Sequence, residues 1–340
     1  MKNLSKLRKI ANLLIQGLIF TATYIFIYKQ VFYKTNLPGL ISTLQDDLTQ
    51  SGFQNQLVII MTLMVVNWCI EAYKWKYLIG KVEHVGFFKA CQAVLTGVSI
   101  SSFTPNRVGE FFGRVFILKK ASPVEGILIT IVGSISQLLV TVISGSIALL
   151  IFMPYYLHDA PYSHGYLYYG ISALVFVLDV LLLALFFNIS ILATLKERIL
   201  QNRLKKMQRF FRIFAFYHNR ELAAVIMLSL TRYLVFSTQF YLLLRLFDVN
   251  IPYLNALVLI SLIYFIMAII PTIALTELGI RGSVALYFFG LYFEKFPLVE
   301  GMGHAGVFAA STILWMINLG LPALIGTIFV FRLQFFRKTE

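Results

Sequence analysis

The chain has 340 residues, of which 59% are hydrophobic and 13% are charged, and its mean hydropathy is +0.80. Soluble domains carry about 25% charged residues, so this composition excludes an ordinary soluble fold. Lys and Arg number 29 against 15 Asp and Glu, which gives a net charge of +14. Apolar runs recur at about 20 residues, the length that an α-helix needs to cross a bilayer. The sequence therefore predicts an all-α, polytopic integral membrane protein.

The N-terminal third begins with a basic segment and an apolar stretch from Ile10 to Tyr28. This stretch is too long for a signal peptide and no small-residue cleavage site follows, so we interpret it as an uncleaved first span. Residues 34–54 are an outside loop. A second span from Gln56 to Ala72 then leads into an aromatic and basic segment, as expected at a cytoplasmic interface. Glu71 and Lys74 lie at its end, and we interpret them as an interfacial ion pair.

The next apolar region, residues 87–118, is interrupted by Thr104-Pro105-Asn106-Arg107. Its two apolar pieces, Phe88–Phe103 and Val108–Leu118, are each too short to span comfortably, and positive charge flanks both ends. We therefore predict a re-entrant helical hairpin that enters and leaves on the cytoplasmic side, with non-helical backbone at its tip. The first broken-helix motif covers residues 101–118, with its break at Pro105 and Gly109.

Longer apolar segments follow in the rest of the chain. The predicted spans are Ile127–Met153, Tyr166–Asn188, Glu221–Phe247, Tyr253–Ile270 and Gly306–Phe331. A second broken-helix motif covers residues 268–293, with Pro271 and Gly279 at its break. Residues 154–165 hold no Lys or Arg whereas residues 189–220 hold eight, so the loops alternate as the positive-inside rule requires. We predict about eight transmembrane helices plus the hairpin, in a single domain of residues 1–340 with both termini cytoplasmic.

The two broken motifs share residue types. The first reads Arg-x-Gly-Glu at Arg107–Glu110, and the second carries the same three types in reverse order at Glu277–Arg281. Inverted repeats with facing broken helices form the substrate sites of many transporters, so we predict a possible inverted pseudo-repeat. The loop at 189–220 is predicted to hold a basic amphipathic helix, residues 192–216. This helix either fixes the topology or forms a surface that recruits lipid or a partner.

Charged side chains within apolar segments need a partner or a water-filled cavity, so they are candidates for function. Arg107 directly precedes a predicted helix start, where free N–H groups favour an anion, and arginine binds phosphate in a bidentate way. Alternatively, Arg107 anchors the hairpin at the headgroups. Glu110 and Arg114, like Glu277 and Arg281, are four residues apart and also fit a helix-internal salt bridge. We predict these five residues as a lipid or phosphate site.

Several other polar residues have simpler interpretations. Asp179, Arg232 and Arg245 fit interhelical or near-interface partners, and Gln137 fits a hydrogen bond across helices. The hydroxyls before the first break fit packing roles first: Thr96, Ser99, Ser101, Ser102 and Thr104. Cys69 and Cys91 form no CxxC pair, so we predict neither a metal site nor a disulfide. The sequence has no phosphate-binding loop and no hydrolase motif, which disfavours an enzyme and predicts no cofactor.

The segment Thr104-Pro105-Asn106-Arg107-Val108-Gly109-Glu110, followed by Arg114 to Lys119, resembles the transmembrane, flippase-like region of the lysylphosphatidylglycerol synthetase family. The Pro271–Arg281 region resembles that family's second motif, although residues 273–276 replace the expected glycines and Glu277 precedes Arg281. Full-length members of the family join this membrane region to a cytosolic aminoacyl-transferase domain. Little sequence follows the last predicted span, so we expect a stand-alone member without the transferase.

The resemblance implies a lipid-translocating or lipid-binding protein of the bacterial cytoplasmic membrane, with lipids as its ligands and no nucleic acid. The first hypothesis is a translocator for an anionic phospholipid or a polyprenyl-phosphate lipid. In it, Arg107 and Arg281 hold the phosphate while Glu110 and Glu277 balance the charge. The alternative is an accessory subunit that binds lipid and docks a glycosyl- or acyltransferase through the basic helix of residues 192–216.

Overall fold

The computed structural model describes residues 51–104, 107–156, 165–188, 216–270, 274–296 and 303–330, with six isolated positions between 14 and 25. Within the continuous described segments the chain forms nine helices and no strand. They are α1 Ser51–Ile79, α2 Phe87–Ser101, α3 Gly109–Val115, α4 Pro123–Tyr156, α5 Gly165–Phe187, α6 Asn219–Leu246, α7 Tyr253–Ile269, α8 Ala274–Lys295 and α9 Gly303–Val330, the last with a π-helical turn at Met316–Gly320. The all-α prediction is confirmed.

Five of these helices are long and apolar enough to cross a membrane. They are Gly52–Ile79, Pro123–Pro154, Tyr168–Phe187, Asn219–Leu246 and Gly303–Val330, and each coincides with a predicted span. Helix α7 has 17 residues, the lower limit for spanning. Most of the predicted first span and nearly all of the basic loop at 189–220 lie outside the described residues. The total of about eight spans therefore stays a prediction.

The first break occurs where the sequence predicts it. Helix α2 has 15 residues and α3 has seven, and residues 102–108 between them are not α-helical where they are described. The second region differs from its prediction. Helix α8 runs without interruption through 22 residues, so Gly279 lies inside a helix and the break precedes Ala274. Pro105 and Pro271, the two prolines assigned to the breaks, lie outside the described residues.

Local side-chain contacts fix the chain as it leaves the hairpin. The Glu83 carboxylate accepts hydrogen bonds from the backbone N–H groups of Lys119, Lys120 and Ala121, at 2.7 to 3.0 Å. Ser122 and Glu125 then form a reciprocal capping box around Pro123, the first residue of α4. Both sets of hydrogen bonds satisfy backbone N–H groups that would otherwise have no partner at a helix start or a turn. The segment after α3 is thereby held in one conformation.

The chain forms two compact units, each assembled from separate segments. The first contains residues 1–130, 272–279 and 311–340, and the second contains residues 131–271 and 280–310. In the first unit, Leu278 packs with Val98 of α2 and with Trp315, Leu319 and Ala323 of α9. The start of α8 is therefore held by an apolar cluster that includes the hairpin.

The two arms of the hairpin pack closely because two glycines face each other. A Cβ atom on Gly113 would lie 2.6 Å from the Cα atom of Gly97, and one on Gly109 would lie 2.6 Å from the carbonyl oxygen of Ile100. Residue numbers thus rise along α3 as they fall along α2, so the arms are antiparallel. Small residues that allow backbones to touch are a common basis of helix packing in membranes. The other face of α2 packs on α9, where the Ser99 hydroxyl donates to the carbonyl of Ala323 at 2.6 Å.

We expect Gly113→Val to separate the hairpin arms, because the new side chain would overlap the backbone of Gly97. Overpacking of this kind costs about 1–3 kcal/mol. Chemical unfolding in detergent micelles measures the loss. Gly170→Val is the matched control, since a Cβ atom at Gly170 meets nothing within 4 Å. Equal stabilities of the two variants would contradict the close packing.

Candidate functional site

The tip of the hairpin holds Arg107 in an unusual backbone conformation. Its φ angle is +55°, in the left-handed region that costs a residue with a side chain roughly 1–2 kcal/mol. Thr104 organises this turn: its carbonyl accepts the N–H of Arg107 at 3.3 Å, and its hydroxyl accepts the N–H of Gly109 at 2.9 Å. Such strain persists only where surrounding contacts fix it, and it concentrates at functional sites. The turn directs the Arg107 side chain toward a second element, the start of α8.

The start of α8 supplies the partner of Arg107. Nη2 of Arg107 lies 2.7 Å from both carboxylate oxygens of Glu277. Glu277 is in the first turn of α8, where the helix dipole favours a negative charge. Its side chain is 5% exposed, whereas the side chain of Arg107 is 42% exposed. The ion pair of Arg107 and Glu277 therefore joins the two broken motifs, with the carboxylate buried and the guanidinium partly accessible.

Further ion pairs continue from the hairpin to α1. Glu71 forms ion pairs with Lys74 and with Arg114, each at 2.9 Å, and Arg114 also pairs with Glu110. Glu110 in turn interacts electrostatically with Arg107. The charges alternate in sign along the series, which we name the ion-pair chain and define as Lys74, Glu71, Arg114, Glu110, Arg107 and Glu277. Three cations and three anions give it a net charge of zero.

The inner end of the ion-pair chain is almost completely buried. The side chains of Lys74 and Arg114 are 1% and 3% exposed, and that of Glu71 is 7% exposed. Isolated charges at such depth are costly, and removing one partner leaves the other uncompensated. Lys74, Glu71 and Arg114 therefore depend on one another. Toward Arg107 the ion-pair chain becomes more accessible, since Glu110 is 24% exposed.

The structure brings together four of the five predicted site residues: Arg107, Glu110, Arg114 and Glu277. Arg281 belongs to the second unit, where it is buried and interacts electrostatically with the Tyr264 hydroxyl. The helix-internal pair of Glu110 and Arg114 is confirmed. Of the predicted break residues, Gly109 is the first residue of α3, while Gly279 lies within α8.

The prediction missed Glu71 and Lys74 as members of the site. Their ion pair is confirmed, but both side chains are buried and Glu71 also binds Arg114 of the hairpin. The available signal was their spacing of three residues within a mainly apolar helix, which places both side chains on one side of that helix. An interfacial position accounted for that spacing equally well, so spacing alone did not reveal the third partner.

The hydroxyls around the hairpin, predicted to have packing roles first, mainly donate hydrogen bonds to backbone carbonyls. Ser101 and Ser102 donate to the carbonyl of Val98, and Thr104 donates to that of Ile100. Thr96 is different, because its buried hydroxyl oxygen has no hydrogen-bond partner within the described residues. The hydrogen bonds of Ser101, Ser102 and Thr104 stabilise the end of α2. The ion-pair chain is therefore the main polar feature of the hairpin among the described residues.

The second unit holds the remaining predicted polar contacts. Arg232 donates to the side chain of Gln137 at 3.3 Å, and Gln137 donates to the carbonyl of Ser229 at 3.4 Å, which confirms Gln137 as an interhelical donor. Asp179 accepts from the Ser146 hydroxyl at 2.6 Å. Within the described part of the chain, no cluster of three or more His, Cys, Asp or Glu side chains is placed to hold a metal ion.

This geometry defines an all-helical membrane protein with a broken helical hairpin, in which a series of ion pairs extends from the break to a buried cluster on α1. A family model described as the lysylphosphatidylglycerol synthase TM region matches residues 14–336, which is nearly the whole chain. The chain therefore belongs to this family, as the resemblance of the first motif predicts. No curated protein and no solved structure matched the chain in the corresponding comparisons. The family indicates a multi-pass membrane protein of lipid metabolism or transport.

Proposed function

We propose that this protein is a flippase-like lipid translocator, without catalytic activity, in the bacterial cytoplasmic membrane. Its ligand is an anionic phospholipid or a polyprenyl-phosphate lipid, which uses a polar path between the two broken motifs. The observation that carries the proposal is the ion pair between Arg107 and Glu277, since it joins both motifs at a partly accessible guanidinium. A headgroup needs such polar groups to cross hydrocarbon at a lower cost.

Arg107 is the residue best placed to bind a lipid phosphate. A guanidinium carries five N–H donors, and Glu277 engages only those on Nη2. The exposed fraction of the side chain, 42%, leaves the remaining edge open to a ligand. Arginine binds phosphate through pairs of parallel hydrogen bonds, which a lysine does not reproduce. Glu110 and Glu277 limit the positive charge at the site when no lipid is bound.

The rest of the ion-pair chain holds Arg107 and Glu110 in position. Arg114 fixes Glu110, and Glu71 and Lys74 fix Arg114 against α1. The hairpin tip is therefore held by buried charges on one side and by Glu277 on the other. The sequence contains no ATP-binding loop, so in this proposal lipid moves along its own gradient or with a coupled ion.

Reconstitution into liposomes tests this function. We expect the purified protein to shorten the half-time of leaflet exchange of headgroup-labelled phosphatidylglycerol or polyprenyl phosphate by about tenfold or more, equivalent to about 1.4 kcal/mol of barrier. Labelled diacylglycerol, which lacks a phosphate, should exchange as it does in protein-free liposomes. Exchange of both lipid types to the same extent would indicate non-specific perturbation of the bilayer, and no exchange of any phosphate lipid would contradict translocation.

A further inference from the structure

The second unit contains a buried group of hydroxyl side chains that is separate from the ion-pair chain. Tyr233 of α6 donates a hydrogen bond to the Ser261 hydroxyl of α7 at 2.8 Å. Two further serine hydroxyls, from α4 and α6, interact with that of Tyr233, and the ring of Tyr264 packs edge-on against the Tyr233 ring, with centroids 6.0 Å apart. We name this group the hydroxyl cluster and define it as Ser144, Tyr233, Ser237, Ser261 and Tyr264, all within the second unit.

The hydroxyl cluster lies at the middle of its helices. Tyr233 is halfway along α6 and Ser261 halfway along α7, and α6 is long enough to cross a bilayer, so the cluster lies near the bilayer centre. Four of its members are at most 8% exposed, and Ser144 is partly buried. Helices α4 and α7 pack tightly beside it, since a Cβ atom on Gly145 would overlap the side chain of Phe265. Water is scarce at this depth, so the five hydroxyls need partners from the protein or from a ligand.

Tyr264 has a hydroxyl that makes no hydrogen bond in the part of the chain that the structure describes. The residue is 8% exposed, and its ring is stacked on that of Phe236 with centroids 5.3 Å apart, which fixes the direction of the hydroxyl. The hydroxyl is close enough to that of Tyr233 to interact with it electrostatically, so it belongs to the cluster. A buried hydroxyl without a hydrogen bond costs about 1–3 kcal/mol, a cost that phenylalanine would avoid in nearly the same space. A ligand that supplies an acceptor oxygen removes this cost.

We propose that the hydroxyl cluster binds the hydroxyl groups of a glycerol or sugar headgroup, and thereby selects among lipids that carry the same phosphate. The inference rests on the proposed function and specifies the headgroup of its substrate. A ligand hydroxyl is both donor and acceptor, so it accepts from Tyr264 while it donates to a serine of the cluster. All five members are neutral, which suits the uncharged part of a headgroup better than its phosphate. A metal cation fits poorly, because the positive charge of Arg281 acts on the Tyr264 hydroxyl.

Two phospholipids that differ only in their headgroup hydroxyls test this inference. Phosphatidylglycerol and phosphatidylpropanol carry the same phosphodiester and a three-carbon headgroup, but only phosphatidylglycerol has free hydroxyls. Both lipids are labelled on an acyl chain, which leaves the headgroup unchanged, and their leaflet exchange is measured in liposomes with the full-length protein and in protein-free liposomes. We expect the protein-dependent exchange of phosphatidylglycerol to be about tenfold faster, equivalent to about 1.4 kcal/mol, which one or two hydrogen bonds supply.

Variants assign this preference to the hydroxyl cluster. Tyr264→Phe removes one hydroxyl and should reduce the ratio of the two exchange rates from about ten to about one, with phosphatidylpropanol exchange unchanged. Ser261→Ala removes the acceptor of Tyr233, should also lower the ratio, and decides the question if Tyr264→Phe does not fold. Tyr287→Phe is the matched control, because Tyr287 is a tyrosine of the second unit that is 64% exposed, and it should keep the wild-type ratio.

The outcomes separate the inference from the proposed function. The inference is overturned, and the proposed function is not, by a wild-type ratio near one, by a ratio that Tyr264→Phe leaves unchanged, or by an equal loss of both lipids in Tyr264→Phe. Exchange of polyprenyl phosphate but of neither phospholipid has the same meaning. Failure of wild type to exchange any of the three lipids overturns both.

Discussion

Arg107→Gly is expected to reduce lipid exchange to the rate of protein-free liposomes. The substitution removes the guanidinium that binds the phosphate in our proposal. Glycine adopts the φ angle of +55° without the strain of a side chain, which favours the native turn by roughly 1 kcal/mol. That gain opposes the cost of leaving Glu277 buried without Arg107. Leaflet exchange at equal protein content, together with chemical unfolding in micelles, measures the two effects separately.

Companion variants make this result interpretable. Arg107→Ala should lose exchange as well, because it removes the same group while keeping the backbone strain. The double variant Arg107→Gly/Glu277→Gln removes both charges of the ion pair, so it should fold and still not exchange lipid. Arg245→Ala is the matched control, since Arg245 is an exposed arginine of the second unit. Exchange by Arg107→Gly at the wild-type rate would exclude Arg107 as the phosphate ligand.

The sequence predicted the elements of this fold well and the long-range pairing of its charges poorly. Apolar length alone located the five helices that are able to cross a membrane. The interruption at Thr104–Arg107 was also readable, because each flanking apolar piece is shorter than a span requires. These features are local, since each depends on residues that are adjacent in the chain.

The sequence did not reveal in the same way that Glu277 pairs with Arg107. Its spacing from Arg281 predicts a pair within one helix, but it gives no sign of the ion pair with Arg107, 170 residues earlier. Which cation a carboxylate faces depends on how the start of α8 packs beside the hairpin, and that packing is set by apolar contacts such as Leu278 with Trp315. The uninterrupted course of α8 through Gly279 has a similar cause, since a glycine weakens a helix by only about 1 kcal/mol and packing readily compensates this.

Arg114→Met is expected to cost about 3–5 kcal/mol of stability, the largest loss that we predict in the ion-pair chain. Arg114 is the cation between Glu71 and Glu110, and its side chain is only 3% exposed. Its removal breaks the ion pairs that Arg114 forms with Glu71 and with Glu110. Chemical unfolding in detergent micelles measures the loss. Lys119→Met is the control, because Lys119 is exposed and surface substitutions change stability by about 0.5 kcal/mol or less.

A double variant shows whether the loss arises from charge imbalance or from lost packing. Arg114→Met/Glu110→Gln keeps the ion pair between Glu71 and Lys74, so the ion-pair chain remains neutral. We expect it to recover a substantial part of the stability lost in Arg114→Met, with a favourable coupling between the two sites in a double-mutant cycle. If the double variant were as unstable as the single one, the role of Arg114 would be to fill space between α1 and the hairpin. If the double variant regains stability but not lipid exchange, a neutral interior is sufficient for folding. Translocation would then additionally need Arg114, which fixes the hairpin tip through Glu110.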